Sequence, residues 1–203
     1  MRVRLTFTKQ GALRYTGHLD LHKIIERSIR RARLPLAYSQ GYHPQPKINL
    51  AAALPLGFSS RAELMDIWLD GDVEDIASNL QANVPPGLTI LDAKPVDVRA
   101  PSLQSQVMGA EYEVKITKTG SASGLNEKVA SVLESESIPR VRRKKAYDLR
   151  PLIEELTLSV NNQLFMRLSA RAGATGRPEE VLTVMGIPVE DVRIERTKLL
   201  FKE

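Results

Sequence analysis

From the N-terminus, Val3, Leu5 and Phe7 alternate with Arg4, Thr6 and Thr8, the period-2 pattern of a strand with one face buried. From His18 to Arg33 the period lengthens. Leu21, Ile24, Ile25, Ile29 and Ala32 fall at helical spacing, with Lys23, Arg27, Arg30 and Arg31 on the other side. Pro35 limits that helix. A turn-rich stretch, Ser39 to Pro46, precedes an apolar run from Ile48 to Leu56, which breaks at Pro55 and Gly57. Ala62 to Leu69 reads as another strand, less cleanly alternating. Asp72 is positioned to cap a helix whose apolar face is Val73, Ile76, Ala77, Leu80 and Val84; Pro85-Pro86-Gly87 ends it, and Leu88 to Val98 follows as a strand.

This order of strand, helix, strand, strand, helix, strand predicts a ferredoxin-like unit over residues 1–98. Residues 99–110, containing Pro101, Ser102, Gln104, Ser105 and Gln106, have the composition of a linker. Residues 111–203 run in the same order. Tyr112, Val114 and Ile116 alternate; Leu125, Val129, Val132 and Leu133 form a helix face; Ile138 to Tyr147 is a basic extended segment. Asp148 to Leu156 fits either an inserted helical turn or a strand. Leu164, Met166 and Leu168 alternate again, Pro178 opens a helix carrying Val181, Leu182 and Met185, and Val192 to Phe201 is a closing strand. The expected fold class is α+β, two tandem ferredoxin-like (βαββαβ) domains. The halves share an order of elements and no residue-level repeat.

Composition narrows the chemistry. The chain has 203 residues, 42% hydrophobic and 26% charged, which is ordinary for a globular protein. Cysteine is absent, which excludes disulfides, a thiol nucleophile, thiolate zinc sites and an iron–sulfur cluster held by this chain's own cysteines. The first residues contain no apolar leader core, and no run approaches the length of a membrane span, so a cytoplasmic protein with no membrane contact is expected. The net charge of +5 is uneven: residues 1–50 carry 10 Lys+Arg against 2 Asp+Glu, whereas residues 51–100 carry 3 against 8. One basic face on an otherwise balanced molecule follows.

Three constellations bear on function. On the first helix, Lys23, Arg27, Arg30 and Arg31 repeat at spacings of three and four, so like charges become neighbours at a cost of about 0.2–0.5 kcal/mol per pair. A phosphate backbone would offset that cost, with Lys9, Arg14 and Lys47 extending the track; a solvated helix face is the plainer explanation. In the segment Tyr38 to Lys47, Tyr38, Tyr42 and His43 are suited to stacking on or hydrogen-bonding a base. The alternative is a Gly/Pro connector whose tyrosines plug the core edge. Arg140, Arg142, Arg143, Lys144 and Lys145 place five cations within six residues, either as a basic arm for nucleic acid or as charge that protects an edge strand. His18 and His22 lie one helical turn apart, but His-Leu-Asp-Leu-His lacks the glutamate of a zinc-protease helix; no metal and no cofactor are expected. Catalytic residues are unassigned. Acid and base chemistry on RNA would have to come from His18, His22, His43, Tyr15 and Tyr42.

Several segments together carry a resemblance: Phe7-Thr8-Lys9-x-Gly11, Tyr15 to Leu21, Arg27 to Arg33, Leu34-Pro35-Leu36, Tyr38 to Lys47 and Leu54-Pro55-Leu56-Gly57, with looser matches at Asp148 to Ile153 and Arg177 to Leu182. The chain resembles the uncharacterised radical-SAM-linked protein family. Its members are encoded beside a radical-SAM protein or fused to one, often near genes for ribonuclease G and ribosome-related products. The implied partner is a radical-SAM protein, and a chain without cysteine fits an accessory role. Gly17 stands where a serine is common in the family, which replaces a side-chain helix cap with glycine. The Ser-x-Gly-Tyr-His-Pro-x-Pro stretch is also similar to repeat-associated RNA-processing proteins built from tandem ferredoxin-like domains.

The expected function is a non-catalytic, RNA-binding accessory protein. The alternatives are a module that docks on the radical-SAM partner without RNA, and a metal-independent RNA-cleaving enzyme.

Overall fold

The computed structural model describes residues 1–118, 123–159 and 163–202. The chain divides into two compact units, Met1–Val107 and Met108–Glu203.

In the first unit, β1 (Arg2–Lys9) is followed by a 3-10 turn (Gly11–Tyr15), α1 (His18–Arg31), β2 (Ile48–Leu50), β3 (Ser59–Trp68), α2 (Ile76–Gln81), β4 (Leu88–Val96) and a short helix, α3 (Leu103–Gln106). β1 is central. It pairs antiparallel with β3 on one side and β4 on the other, and β2 adds antiparallel to the far edge of β3, giving the order β2-β3-β1-β4. The alternation in β1 sets the layers. Val3, Leu5 and Phe7 are fully buried and, with Met65, Ile67 and Leu69, cluster with Leu21, Ile25 and Ile29 of α1 and Ile76 and Leu80 of α2.

The opposite face of the sheet holds a buried ion cluster. Asp66 is wholly buried; Arg2 donates to its Oδ2 from Nε at 3.0 Å and from a terminal nitrogen at 2.6 Å, and Arg4 donates to Oδ1 at 2.8 Å. Arg2 also donates to the carbonyls of Ala100 at 2.6 Å and Pro101 at 2.9 Å, tying the segment after β4 to the sheet. Residues 99–110 are therefore not a free linker: Leu103 is fully buried in α3, and strand β5 already begins at Val107.

The second unit contains β5 (Val107–Ile116), α4 (Leu125–Glu134), β6 (Pro139–Arg142), β7 (Lys145–Asp148), a 3-10 turn (Arg150–Leu152), β8 (Ile153–Leu158), β9 (Gln163–Arg171), β10 (Ala174–Thr175), α5 (Pro178–Val184) and β11 (Val192–Phe201). Its strands are ordered β8-β9-β5-β11, with β10 folded back onto the end of β9. Among the described residues, β6 and β7 pair only with each other, as a separate hairpin. The chain is thus a mixed α+β protein. Asp148 to Leu156, which fitted either a turn or a strand, contains both.

Two boundaries differ from the pattern. The apolar run after Ile48 is a strand for three residues only: the chain bends at Ala51 and Ala52, ahead of Pro55 and the left-handed Gly57. α2 starts at Ile76 and not at Asp72; Asp75 precedes it in the left-handed region, at φ 50°, which breaks helical continuity with Val73. Gly87 is required by its surroundings. Its φ is +91°, and a Cβ there would lie 2.6 Å from the carbonyl oxygen of Gln10, whose amide donates to the Gly87 carbonyl.

Removing one partner from a buried ion pair strands the other. Asp66→Ala should therefore lower unfolding free energy in urea by about 3 kcal/mol or more. Removing Asp92, paired with Lys94 at 2.7 Å at the surface, should leave it nearly unchanged.

Candidate nucleic-acid interface

α1 presents its polar stripe as the spacing requires, with Leu21, Ile25, Ser28 and Ile29 buried and Lys23, Arg27, Arg30 and Arg31 exposed. Gly17 is its N-cap, without a side-chain hydrogen bond. Among the described residues, neither Lys23 nor Arg27 has an ion-pair partner. Arg30 is held. It pairs with Glu26 at 3.1 Å and donates from Nε and a terminal nitrogen to the Tyr38 hydroxyl at 3.0 and 2.8 Å; these contacts raise its already high pKa.

Tyr38 belongs to an arm over residues 36–47. Leu36 bridges to Leu69, Tyr38 bridges to Pro46, and the Lys47 amide donates to the Ala37 carbonyl at 2.9 Å. Its base is fastened to β3, where Ala37 donates to the Trp68 carbonyl at 2.8 Å. At its tip Gly41 has a φ of 140°, and Tyr42 is 98% exposed with its ring edge-on to His43. The connector alternative is thus split: Tyr38 packs on the core edge, whereas Tyr42 and His43 touch no core. Lys47 is exposed at the root of the arm.

Four expected phosphate ligands are otherwise engaged. Lys9 is 1% exposed and donates to the Thr16 carbonyl at 2.8 Å, because its parity in β1 turns it to the helix side of the sheet. Arg31 reaches to α2 and donates to the Asn83 carbonyl at 2.6 Å. Arg142 holds the β6–β7 hairpin: it pairs through two nitrogens with the Glu180 carboxylate, donates to the Thr175 carbonyl at 3.0 Å and lies over the Tyr147 ring. Arg14 stacks on Tyr15, with its guanidinium carbon 4.6 Å from the ring centroid.

The tip of the hairpin keeps its charge outward. Arg143 and Lys144 form its two-residue turn, both at positive φ (48° and 66°), and Lys145 follows; all three are exposed, and Arg140 is half-buried. Turns of this geometry favour Asn-Gly, so two side chains with a Cβ cost about 1–2 kcal/mol each. Arg33, a further exposed cation that sequence spacing did not single out, has a φ of 57° where α1 ends.

The histidines lie on two elements, His18 and His22 on α1 and His43 on the arm. Burial, followed by the neighbouring His22, pushes the pKa of His18 below the usual imidazole value. Among the described residues, no cluster of three or more His, Asp or Glu side chains is arranged to hold a metal, and no helix is long and apolar enough to cross a membrane.

The sequence pattern singles out neither Asn49 nor Trp68. They line a groove of about 340 Å³ with Pro46, Lys47 and Ile48, beside the root of the arm. The available signal was parity. Trp68 falls between Ile67 and Leu69, whose side chains enter the core, so it belongs to the other face of the sheet.

The Arg142–Glu180 contact predicts a pH dependence. Burial pushes the Glu180 carboxyl up, but hydrogen bonds from Arg142 and Tyr147 outweigh it and leave the pKa lowered. Its contribution is present above the ordinary carboxylate range and is lost as pH falls through the lowered value. The protection factors of the hairpin amides, taken against intrinsic exchange at each pH, should fall on acidification, and Glu180→Gln should lower them about tenfold at neutral pH.

No curated protein matches the chain. Among solved structures, the acetolactate synthase small subunit from Thermotoga maritima is 10% identical with a TM-score of 0.26, covering 98% of this chain and 94% of its own. A protein described as a glycine cleavage system transcriptional repressor is 12% identical with a TM-score of 0.30, covering 99% and 98%. Neither likeness carries an argument about function. A family model does match, over residues 2–178, which is most of the chain and includes α1, the arm and the basic hairpin. The chain belongs to the family described as uncharacterized protein conserved in bacteria (DUF2344).

Proposed function

We propose that the chain is a pair of tandem ferredoxin-like units, the second carrying an inserted hairpin, and that it acts as a non-catalytic RNA-binding accessory protein for a radical-SAM protein in RNA or ribosome modification. The observation that carries this reading is the Arg30–Tyr38 contact. It joins the cationic stripe of α1 to an arm whose tip holds out Tyr42 and His43, so phosphate-binding and base-stacking groups belong to one continuous surface. Lys23, Arg27 and Lys47 supply the phosphate contacts there; Arg143, Lys144 and Lys145 offer a second set. The radical-SAM partner rests on the sequence resemblance and on the absence of cysteine.

A second reading has its own support. Tyr15, Leu19 and Leu56 are 61%, 74% and 64% exposed around the start of α1, where the Gly57 amide donates to the Arg14 carbonyl. Apolar side chains of this size held in water suit docking on a protein. The partner would then be bound without RNA.

Reversing Arg27 and Arg30 to Glu should weaken binding of single-stranded RNA at least tenfold with an unchanged circular dichroism spectrum. Lys23→Gln should lower the slope of log affinity against log salt by about 0.7, the value for one phosphate contact on a single strand. Unchanged affinity in both would remove this face from RNA binding. Capture of the radical-SAM protein after ribonuclease treatment, lost on Leu19→Asp, would favour the docking reading.

A further inference from the structure

We propose that the groove lined by Pro46, Lys47, Ile48, Asn49 and Trp68 receives one unpaired nucleobase, with an N–H donor on the base edge satisfying Asn49. The inference rests on the RNA reading above and gives it a base-binding site.

Strand parity brings the two main residues together. Met65 and Ile67 of β3 are buried in the core, so Asp66 and Trp68 take the opposite face, and Asn49 is the register partner of Asp66. The Trp68 ring is held in place. The Arg2 guanidinium lies over it at 5.2 Å, and Arg2 is itself fixed by Asp66 and by the carbonyls of Ala100 and Pro101. A preset aromatic surface loses little freedom when a second ring system stacks on it.

Polarity selects among occupants. Asn49 Oδ1 is buried and, among the described residues, has no hydrogen-bond partner. An orphaned acceptor is unfavourable in the free protein and is relieved by a donor. Phosphate and carboxylate groups supply only acceptors, and an aliphatic side chain supplies nothing. A nucleobase supplies both a planar face for Trp68 and an N–H donor for Asn49. Lys47, exposed on the rim, is placed for the phosphate of the same nucleotide. The groove adjoins the arm that carries Tyr38, Tyr42 and His43, so a strand leaving it has further stacking partners.

Trp68 is the only tryptophan of the chain, which makes its emission a direct reporter. The test titrates the full chain with octaadenylate, following tryptophan emission with unlabelled RNA and anisotropy with 5′-fluorescein-labelled RNA. The expected result is a change in Trp68 emission that saturates with the anisotropy. Asn49→Ala should weaken binding about tenfold while leaving the urea midpoint unchanged or raised, since it removes an unsatisfied acceptor. Trp68→Ala should weaken binding by about tenfold or more, in line with loss of one stacked base. Anisotropy that rises with no change in Trp68 emission would overturn the base site and leave the RNA reading standing. So would an Asn49→Ala protein that binds as tightly as the original. No binding by either signal at physiological salt would overturn the RNA reading and the base site together.

Discussion

A buried carboxylate shared between two arginines organises the face of the first unit's sheet that lies opposite α1 and α2. Asp66 has no exposure, and such a charge is tolerated only when paired and hydrogen-bonded. Arg2 and Arg4 reach it from the neighbouring strand, because β1 and β3 pair Arg2 with Trp68 and Arg4 with Asp66. Two guanidiniums carry more donors than one carboxylate can accept, and Arg2 spends the remainder on main-chain carbonyls at Ala100 and Pro101. That choice determines the path of the chain after β4. It also places a cation over Trp68 and leaves the groove beside Asn49 between β2, the end of β3 and the root of the arm.

The same economy runs through the other cations. A guanidinium in reach of a carbonyl or carboxylate is drawn into structure: Arg31 at Asn83, Arg142 at Glu180 and Thr175. Lys9, buried on the helix side of β1, is absorbed at Thr16. Of the cations that the spacing singles out, those exposed and without an ion-pair partner among the described residues are Lys23, Arg27 and Lys47 in the first unit and Arg143, Lys144 and Lys145 in the second. Three of the four non-glycine residues at positive φ among the described residues are arginine or lysine (Arg33, Arg143 and Lys144). Glycine would relieve the backbone at each of these places and would remove the charge.

Each unit sends out one projection, and each is rooted by an arginine against a tyrosine. Arg30 holds Tyr38 at the base of the arm, and Arg142 holds Tyr147 in the hairpin. In the hairpin the ladder sets the sides: Arg140, Arg142, Lys145 and Tyr147 share one face by register, while Val141, opposite Ala146, is 74% exposed on the other. Both projections are thus anchored at the root by hydrogen bonds and carry exposed side chains at the tip.

The sequence by itself determined the strands and helices whose burial follows one period. Val3, Leu5 and Phe7 had to face one layer, Leu21, Ile25 and Ile29 had to meet it, and α1 had to leave Lys23 and Arg27 in water, because spacing along a strand or helix is a local property. The turn composition of Tyr38 to Lys47 fitted both outward and core-plugging rings, and the structure divides them, with Tyr38 on the core edge and Tyr42 and His43 exposed. Availability of a cation is not local. Lys9, Arg31 and Arg142 read as equal to their neighbours until carbonyls and carboxylates distant in the chain come within reach. Only the pairing of β2 with β3 put Asn49 beside Asp66 and Trp68. The tertiary structure decided those partnerships, since a hydrogen bond depends on distance in space and the sequence records only distance along the chain.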